Sequence, residues 1–242
     1  MPNITCKHRI FNNIDAIIFD KDGTLADSEN FLRELAFKRA RLIDAQIPGV
    51  YEPLLMAFGV ENDYLNPTGL MAVGSNHENK IVAAGYIAET GKSWFESLAI
   101  AQECFNNALT KSTTVSPLFT GSLEVLQTLK QQGLKVAILS ADTTQGVEEF
   151  VQHHQLSNYI ELIMGVDSGL SKPDPRLFLQ ACDKLAVKPE NTLMIGDSQG
   201  DIAMAKNAKA GGIIGICWKS SQPSHLNTAD VVISDLSEIL SW

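Results

Sequence analysis

Cysteine is scarce in this chain: among 242 residues there are four, Cys6, Cys104, Cys182 and Cys217, and no two of them form a C-x-x-C pair. That excludes a disulfide framework or a thiolate metal cluster, and leaves free thiols in a reducing cytoplasm as the simpler account. Long apolar runs are missing as well. No stretch reaches the roughly 18 uninterrupted apolar residues of a membrane span, and Met1 to Phe11 lacks a signal-peptide core. A cytoplasmic protein without a membrane partner is expected. Positive charge is in short supply too, with 19 Lys and Arg against 28 Asp and Glu, a net charge of −9 and no basic cluster. Nucleic acid and anionic membrane surfaces are therefore poor partners. Internal repeats and low-complexity tracts are also absent.

What remains, 45% hydrophobic and 19% charged, is the composition of an ordinary globular protein, long enough for a core with a smaller companion. Short apolar runs end at polar residues: Ala16–Phe19 before Asp20, Lys135–Leu139 before Ser140, Ile160–Met164 before Gly165, Thr192–Gly196 before Asp197, Gly212–Ile216 before Cys217, and Val231–Ile233 before Ser234. Helical patterns lie between them, at Ser122–Gln132, Pro175–Leu185 and Asp201–Lys209. Near-continuous apolar strands alternating with helices predict an α/β fold, a parallel sheet covered on both faces. Ligands of such sheets bind at the carboxyl ends of the strands. Residues 25–115 differ, with helical patterns at Asn30–Ala45, Glu52–Phe58, Ser75–Thr90 and Ser93–Leu109. They are expected to form an all-helical insertion, with residues 1–24 and 116–242 as the catalytic core.

Asp20-Lys21-Asp22-Gly23-Thr24 carries the most information. Carboxylates at i and i+2 of an extended chain point to one side, so Asp20 and Asp22 can address a single centre. Asp20 is the candidate nucleophile, able to attack phosphorus and form an aspartyl-phosphate; its bland alternative is a turn cap. Asp22 would protonate the leaving oxygen and then activate water, or else begin an Asx-type turn into Gly23. Asp20, the backbone carbonyl of Asp22, and Asp197 suit Mg²⁺, which prefers a few carboxylates with waters and phosphate oxygens. Asp201 would orient a metal-bound water, or be only the N-cap of its helix. The Ser140 hydroxyl and the backbone N–H of Ala141 are candidate phosphate ligands. Lys172, in Ser171-Lys172-Pro173-Asp174-Pro175, is a cation with proline-restricted neighbours, suited to neutralise charge in phosphoryl transfer.

On these motifs the chain resembles the haloacid dehalogenase superfamily of phosphohydrolases. Asp20 and Asp22 match its first motif, Ser140 the second, Lys172 the third, and Asp197 with Asp201 the fourth. The resemblance implies a Rossmann-like doubly wound core, Mg²⁺-dependent hydrolysis of a small phosphorylated metabolite, and a small α-helical cap that closes over the substrate. Thr24 and Asp201 take supporting places behind the reacting groups. The layout is most similar to phosphoglycolate phosphatase-like enzymes. A β-phosphoglucomutase-type phosphomutase and a non-catalytic metabolite-binding protein are the alternatives; Thr24 after Gly23 favours hydrolysis, and the intact set of polar residues favours catalysis. Two departures stand out: Lys21 where an apolar residue is usual, and Ala141-Asp142 after Ser140, where Asn commonly follows.

Within the insertion, Ser75 and Glu78 form an S-x-x-E capping box that opens a helix. A helix N-terminus receives anions, so Ser75, with His77 and Lys80 nearby, is the candidate reader of a substrate carboxylate. A purely structural capping box is the stronger alternative, since such boxes are common.

Overall fold

The computed structural model of the chain describes residues 2–110, 115–167, 170–218 and 223–241. Two compact units emerge, Met1–Asp27 with Ser116–Trp242, and Ser28–Val115.

The first unit is built on a six-stranded parallel sheet. Across it the strands run Val231–Ile233, Gly212–Ile216, Thr192–Gly196, Ala16–Phe19, Lys135–Leu139 and Leu162–Met164. In chain order the first strand is therefore central, with the second and third to one side and the fourth to sixth to the other. Each of the three central strands is buried on both faces because successive side chains point to opposite sides. Ala16, Ile18, Ala137 and Met194 pack with Leu177, Phe178, Ile202 and Met204 from the helices Pro175–Leu185 and Gln199–Asn207. Ile17, Phe19, Val136, Ile138, Leu193 and Ile195 are buried on the other side, where the helices Ser122–Gln131 and Thr144–His153 add Leu126, Leu129, Val147 and Phe150.

Strand order reverses between Ala16–Phe19 and Thr192–Gly196, which pair in register from Ala16–Thr192 to Phe19–Ile195. Crossovers leave this pair in opposite directions and open a crevice at its carboxyl end. Asp20 and Asp197 are the next residues of the two strands. Side-chain caps fix where the adjoining helices begin. Ser198 accepts from Asp201 N, Asp174 from Arg176 N with Pro175 in the first turn, and Thr143 from Gly146 N. These caps satisfy helix-end donors and hold the loops of the crevice in place.

Several elements go beyond the sequence reading, among them a two-stranded ribbon, Val60–Glu61 with Tyr64–Leu65, in the insertion expected to be all-helical. Ile4–Cys6 pairs antiparallel with both Arg9–Phe11 and Ile239–Ser241, giving a small second sheet. Thr144–His153 is a helix, and Leu70–Val73 a single helical turn.

The second unit consists of the helices Glu29–Asp44, Tyr51–Phe58, Leu70–Val73, Asn76–Glu89 and Trp94–Thr110, with a two-stranded ribbon, Val60–Glu61 and Tyr64–Leu65, among them. Ile43, Leu54, Phe58, Ile87 and Phe105 form the centre of its own apolar core. Arg39 is buried there, its Cζ 4.1 Å from the Phe105 ring centroid and its Nη2 donating to Asn76 Oδ1 at 2.6 Å.

Candidate active site

Asp20 continues the hydrogen-bond ladder of its strand, its N–H donating to the Ile195 carbonyl at 2.9 Å. The chain then turns at once. The Lys21 carbonyl accepts from Leu25 N at 3.0 Å and Ala26 N at 2.9 Å, and Gly23 N donates back to the Ala26 carbonyl at 2.9 Å. Gly23 sits at φ +76°, a region L side chains avoid, and a Cβ there would collide with the Asp197 carboxylate. Glycine is thus required twice, by the turn and by the closeness of Asp197.

Asp20, Asp197 and Asp201 each present a carboxylate oxygen within 4.8 Å of the others. Lys172 completes the group: its Nζ donates to Asp20 Oδ1 at 2.5 Å and lies 2.7 Å from Asp201 Oδ1. Asp201 is buried, and its Oδ2 accepts from the Ser198 hydroxyl at 2.6 Å and the Ser198 N–H at 3.2 Å. It is therefore the third residue of its helix, closing a capping box on Ser198, rather than the N-cap considered from the sequence.

Burial dominates the electrostatics. Desolvation, then the neighbouring Asp201 and Asp22 against the opposing pull of Lys172, lift the Asp20 carboxyl to about 7. Asp197 is raised well above the ordinary carboxylate range by desolvation, Asp20 and Asp201. For Lys172 burial favours the neutral amine, but Asp20 and Asp201 outweigh it and hold the ammonium charged.

Asp22 takes a different partner. Its Oδ2 lies 3.0 Å from Lys21 Nζ, which also donates to Asp142 Oδ2 at 2.8 Å. Asp22 Oδ1 and Thr24 Oγ1 are buried and have no hydrogen-bond partner among the described residues. Ser140 is buried at the end of the neighbouring strand; its Oγ accepts from Asp142 N at 3.1 Å and its N–H donates to the Met164 carbonyl at 3.0 Å. Ala141 follows, half-buried.

A divalent cation fits this donor set. Asp20, Asp22, Asp142, Asp197 and Asp201 bring five carboxylates against the two ammonium groups of Lys21 and Lys172. The donors at the Asp20–Asp197–Asp201 cluster are hard oxygens, the kind Mg²⁺ takes. Burial disfavours the charged forms of Asp20 and Asp197, and a cation held there would offset that cost.

Three neighbours were not anticipated. Asp142 supplies the second carboxylate on Lys21; a lone lysine inside an acidic motif already called for one. His225 Nε2 donates to the Asp197 carbonyl at 3.2 Å, and Trp218 Nε1 to the Thr24 carbonyl at 3.3 Å, with its ring stacked on Phe119. Their only signal was position, Trp218 just after the Gly212–Ile216 strand and His225 in the short 3-10 helix Ser224–Leu226.

In the second unit the capping box is complete: Glu78 N donates to Ser75 Oγ at 3.2 Å, while Ser75 N and Oγ both donate to Glu78 Oε2 at 2.7 Å. Lys80 Nζ donates to Gln102 Oε1 at 2.5 Å, and His77 is exposed.

A parallel sheet whose switch point gathers three carboxylates and a lysine defines a class. The chain belongs to the haloacid dehalogenase-like hydrolases, whose family model matches residues 14–209. It is an enzyme, a hydrolase homologous to phosphatases. The phosphoglycolate phosphatase of Vibrio vulnificus (strain YJ016) is 26% identical over 230 residues, 94% of this chain and 95% of its own. That of Vibrio parahaemolyticus serotype O3:K6 is 27% identical over 232 residues, again 94% and 95%. Among solved structures, a "predicted phosphoglycolate phosphatase" from Haemophilus somnus 129PT superposes with a TM-score of 0.73 at 20% identity, over 94% of this chain and 96% of that one. At that identity the likeness is one of fold. Among the described residues no helix is long and apolar enough to cross a membrane.

Proposed function

We propose that the protein is a Mg²⁺-dependent phosphatase of a small phosphorylated metabolite of the phosphoglycolate kind, working through an aspartyl-phosphate on Asp20. The observation that carries this reading is the meeting of Asp20, Lys172, Asp197 and Asp201 at the switch point. The substrate class rests on the relatives named phosphoglycolate phosphatase.

Asp20 attacks phosphorus, and the bond to the substrate's alkoxide oxygen breaks. Asp22 gives that oxygen its proton, so that a neutral alcohol leaves. The Asp22 carboxylate then takes a proton from water as the water attacks phosphorus, releasing phosphate and restoring Asp20. Lys172 neutralises charge as it shifts among the phosphoryl oxygens, with the Ser140 hydroxyl and Ala141 N–H as further phosphate ligands. Asp20, Asp197 and the Asp22 backbone carbonyl would hold Mg²⁺, with Asp201 beside them and Thr24 supporting the loop. When bound, the cation supplies Lewis-acid stabilisation of the transferring group and lets a carboxylate approach a phosphate dianion. Ser75, His77 and Lys80 of the second unit are assigned to the non-phosphate part of the substrate. Buried free thiols at Cys6, Cys104 and Cys182 support a cytoplasmic location.

The test is a panel of a few dozen phosphate esters with free-phosphate detection, run in EDTA and after adding Mg²⁺. Hydrolysis of phosphoglycolate or a near relative only with the metal is the expected result. Full activity in chelator refutes the mechanism, and a preferred ester lacking a carboxylate refutes the substrate class.

A further inference from the structure

Lys21 is the one side chain of the Asp20–Thr24 loop that the proposed chemistry leaves without a task. It is also buried, its side chain 7% exposed. Such a lysine needs anionic partners, and it has two from different loops: Asp22 Oδ2 at 3.0 Å and Asp142 Oδ2 at 2.8 Å. Asp142 is itself held firmly. Its Oδ1 accepts from Thr143 N at 2.7 Å, its N–H donates to Ser140 Oγ at 3.1 Å, and its carbonyl accepts from Val166 N at 2.7 Å. Its carboxylate also occupies the place a side chain on Gly146 would need. The Phe150 ring centroid lies 5.8 Å from the Lys21 ammonium.

The contact engages one oxygen of Asp22. The other, Oδ1, is buried and has no hydrogen-bond partner among the described residues. A carboxylate turns readily about its last torsion. Pinned through Oδ2, it can offer only Oδ1. Oδ1 is therefore the oxygen that the substrate's leaving group or the attacking water can meet.

We propose that Lys21, anchored by Asp142, is a positioning residue that pins the Asp22 carboxylate through Oδ2 and leaves Oδ1 to exchange the proton with the leaving oxygen and the attacking water. The inference rests on the reading of Asp22 as the acid and base. An apolar residue at position 21 would leave Asp22 free to rotate, whereas lysine sets its orientation from the loop that also carries Ser140.

The experiment is a double-mutant cycle with two substrates. The kcat/KM reports steps through departure of the leaving group. An alkyl phosphate needs Asp22's proton there, and p-nitrophenyl phosphate, with its stable phenolate, hardly does. Lys21→Met should lower kcat/KM for the alkyl phosphate by about 10²-fold, the scale of a misplaced catalytic group. It should spare p-nitrophenyl phosphate, and Lys21→Arg should recover most of the loss. In an Asp22→Asn background, Lys21→Met should cost nothing more. Asp142→Asn provides a second route should Lys21→Met fail to fold: it should shift the substrate ratio the same way and fall silent in the Asp22→Asn background. Equal losses on both substrates, or losses that multiply with Asp22→Asn, overturn the proposal and reduce Lys21 to a structural ion pair. If Asp22→Asn alone leaves alkyl phosphate hydrolysis intact, the acid–base assignment fails, and the positioning role falls with it.

Discussion

The carboxyl of Asp20 should make the metal-free protein less stable as pH rises. Its pKa is 3.8 in an ordinary setting and about 7 in the fold, chiefly through burial. Because the folded value is the higher, the folded protein keeps a proton that the unfolded chain has already released. The stability this group contributes is therefore fully present below pH 3.8 and is lost as pH climbs through the window from 3.8 to about 7. At 1.36 kcal/mol per unit, the loss is on the order of 4 kcal/mol, of which about 3 falls between pH 5 and pH 8. Asp20 is buried, so solvent screening removes little of this. The perturbation that isolates it is Asp20→Asn, which keeps the shape and removes the charge. The assay is urea unfolding of both proteins in EDTA at pH 5, 6, 7 and 8, because histidines and other groups away from Asp20 cancel in the difference, leaving Asp20 with the neighbours it acts on, Asp197 and Lys172. The variant should gain on the wild type steadily across the series and be the more stable protein at pH 8. Saturating Mg²⁺ at pH 8 should stabilise the wild type and barely affect Asp20→Asn; a cation at a hundred times its dissociation constant contributes about 2.7 kcal/mol. A stability difference independent of pH, or a variant less stable at pH 8, would falsify the claim that Asp20 is buried with too little compensating charge.

Further outcomes follow from the same geometry. Gly23→Ala should abolish turnover and weaken Mg²⁺ binding by calorimetry, since its methyl group would displace the Asp197 carboxylate; wild-type affinity in this variant would show that the loop is not packed on Asp197. Asp22→Asn should slow hydrolysis by about 10²–10⁴-fold, the usual weight of an acid–base group, and still bind beryllium fluoride on Asp20; loss of that adduct would move Asp22 from proton transfer to phosphate binding. Ser75→Ala should lower the unfolding free energy by about 0.5–2 kcal/mol through the lost capping bond and raise KM for a phosphorylated hydroxy acid relative to p-nitrophenyl phosphate; an unchanged KM ratio would reduce Ser75 to a structural cap. Lys80→Ala, which spares that bond, should raise KM for a phosphorylated hydroxy acid but not for p-nitrophenyl phosphate; an equal change in both would remove Lys80 from recognition.

Much of this was legible in the linear chain, because it depends on neighbours. An apolar run buried on both faces, ended by a carboxylate, can be read within a few residues, as Ala16–Phe19 before Asp20 and Thr192–Gly196 before Asp197 were. The same is true of the Ser75–Glu78 box, whose two reciprocal bonds span three residues. What the chain could not reveal depends on pairing between distant segments. The order of strands, which puts Asp20 and Asp197 at the point of reversal, follows from which crossovers pack on which face. The Ile4–Cys6 strand finds Ile239–Ser241 across nearly the whole length of the chain. Asp201 read alone was an N-cap or a water-orienting group. In the fold it is buried 2.7 Å from the Lys172 ammonium, and that buried ion pair decides its charge environment. Lys21 was a departure without meaning until the tertiary structure brought Asp142 to it over 121 positions of sequence. A buried charge takes its role from whatever the fold sets against it, and local pattern carries no record of that partner.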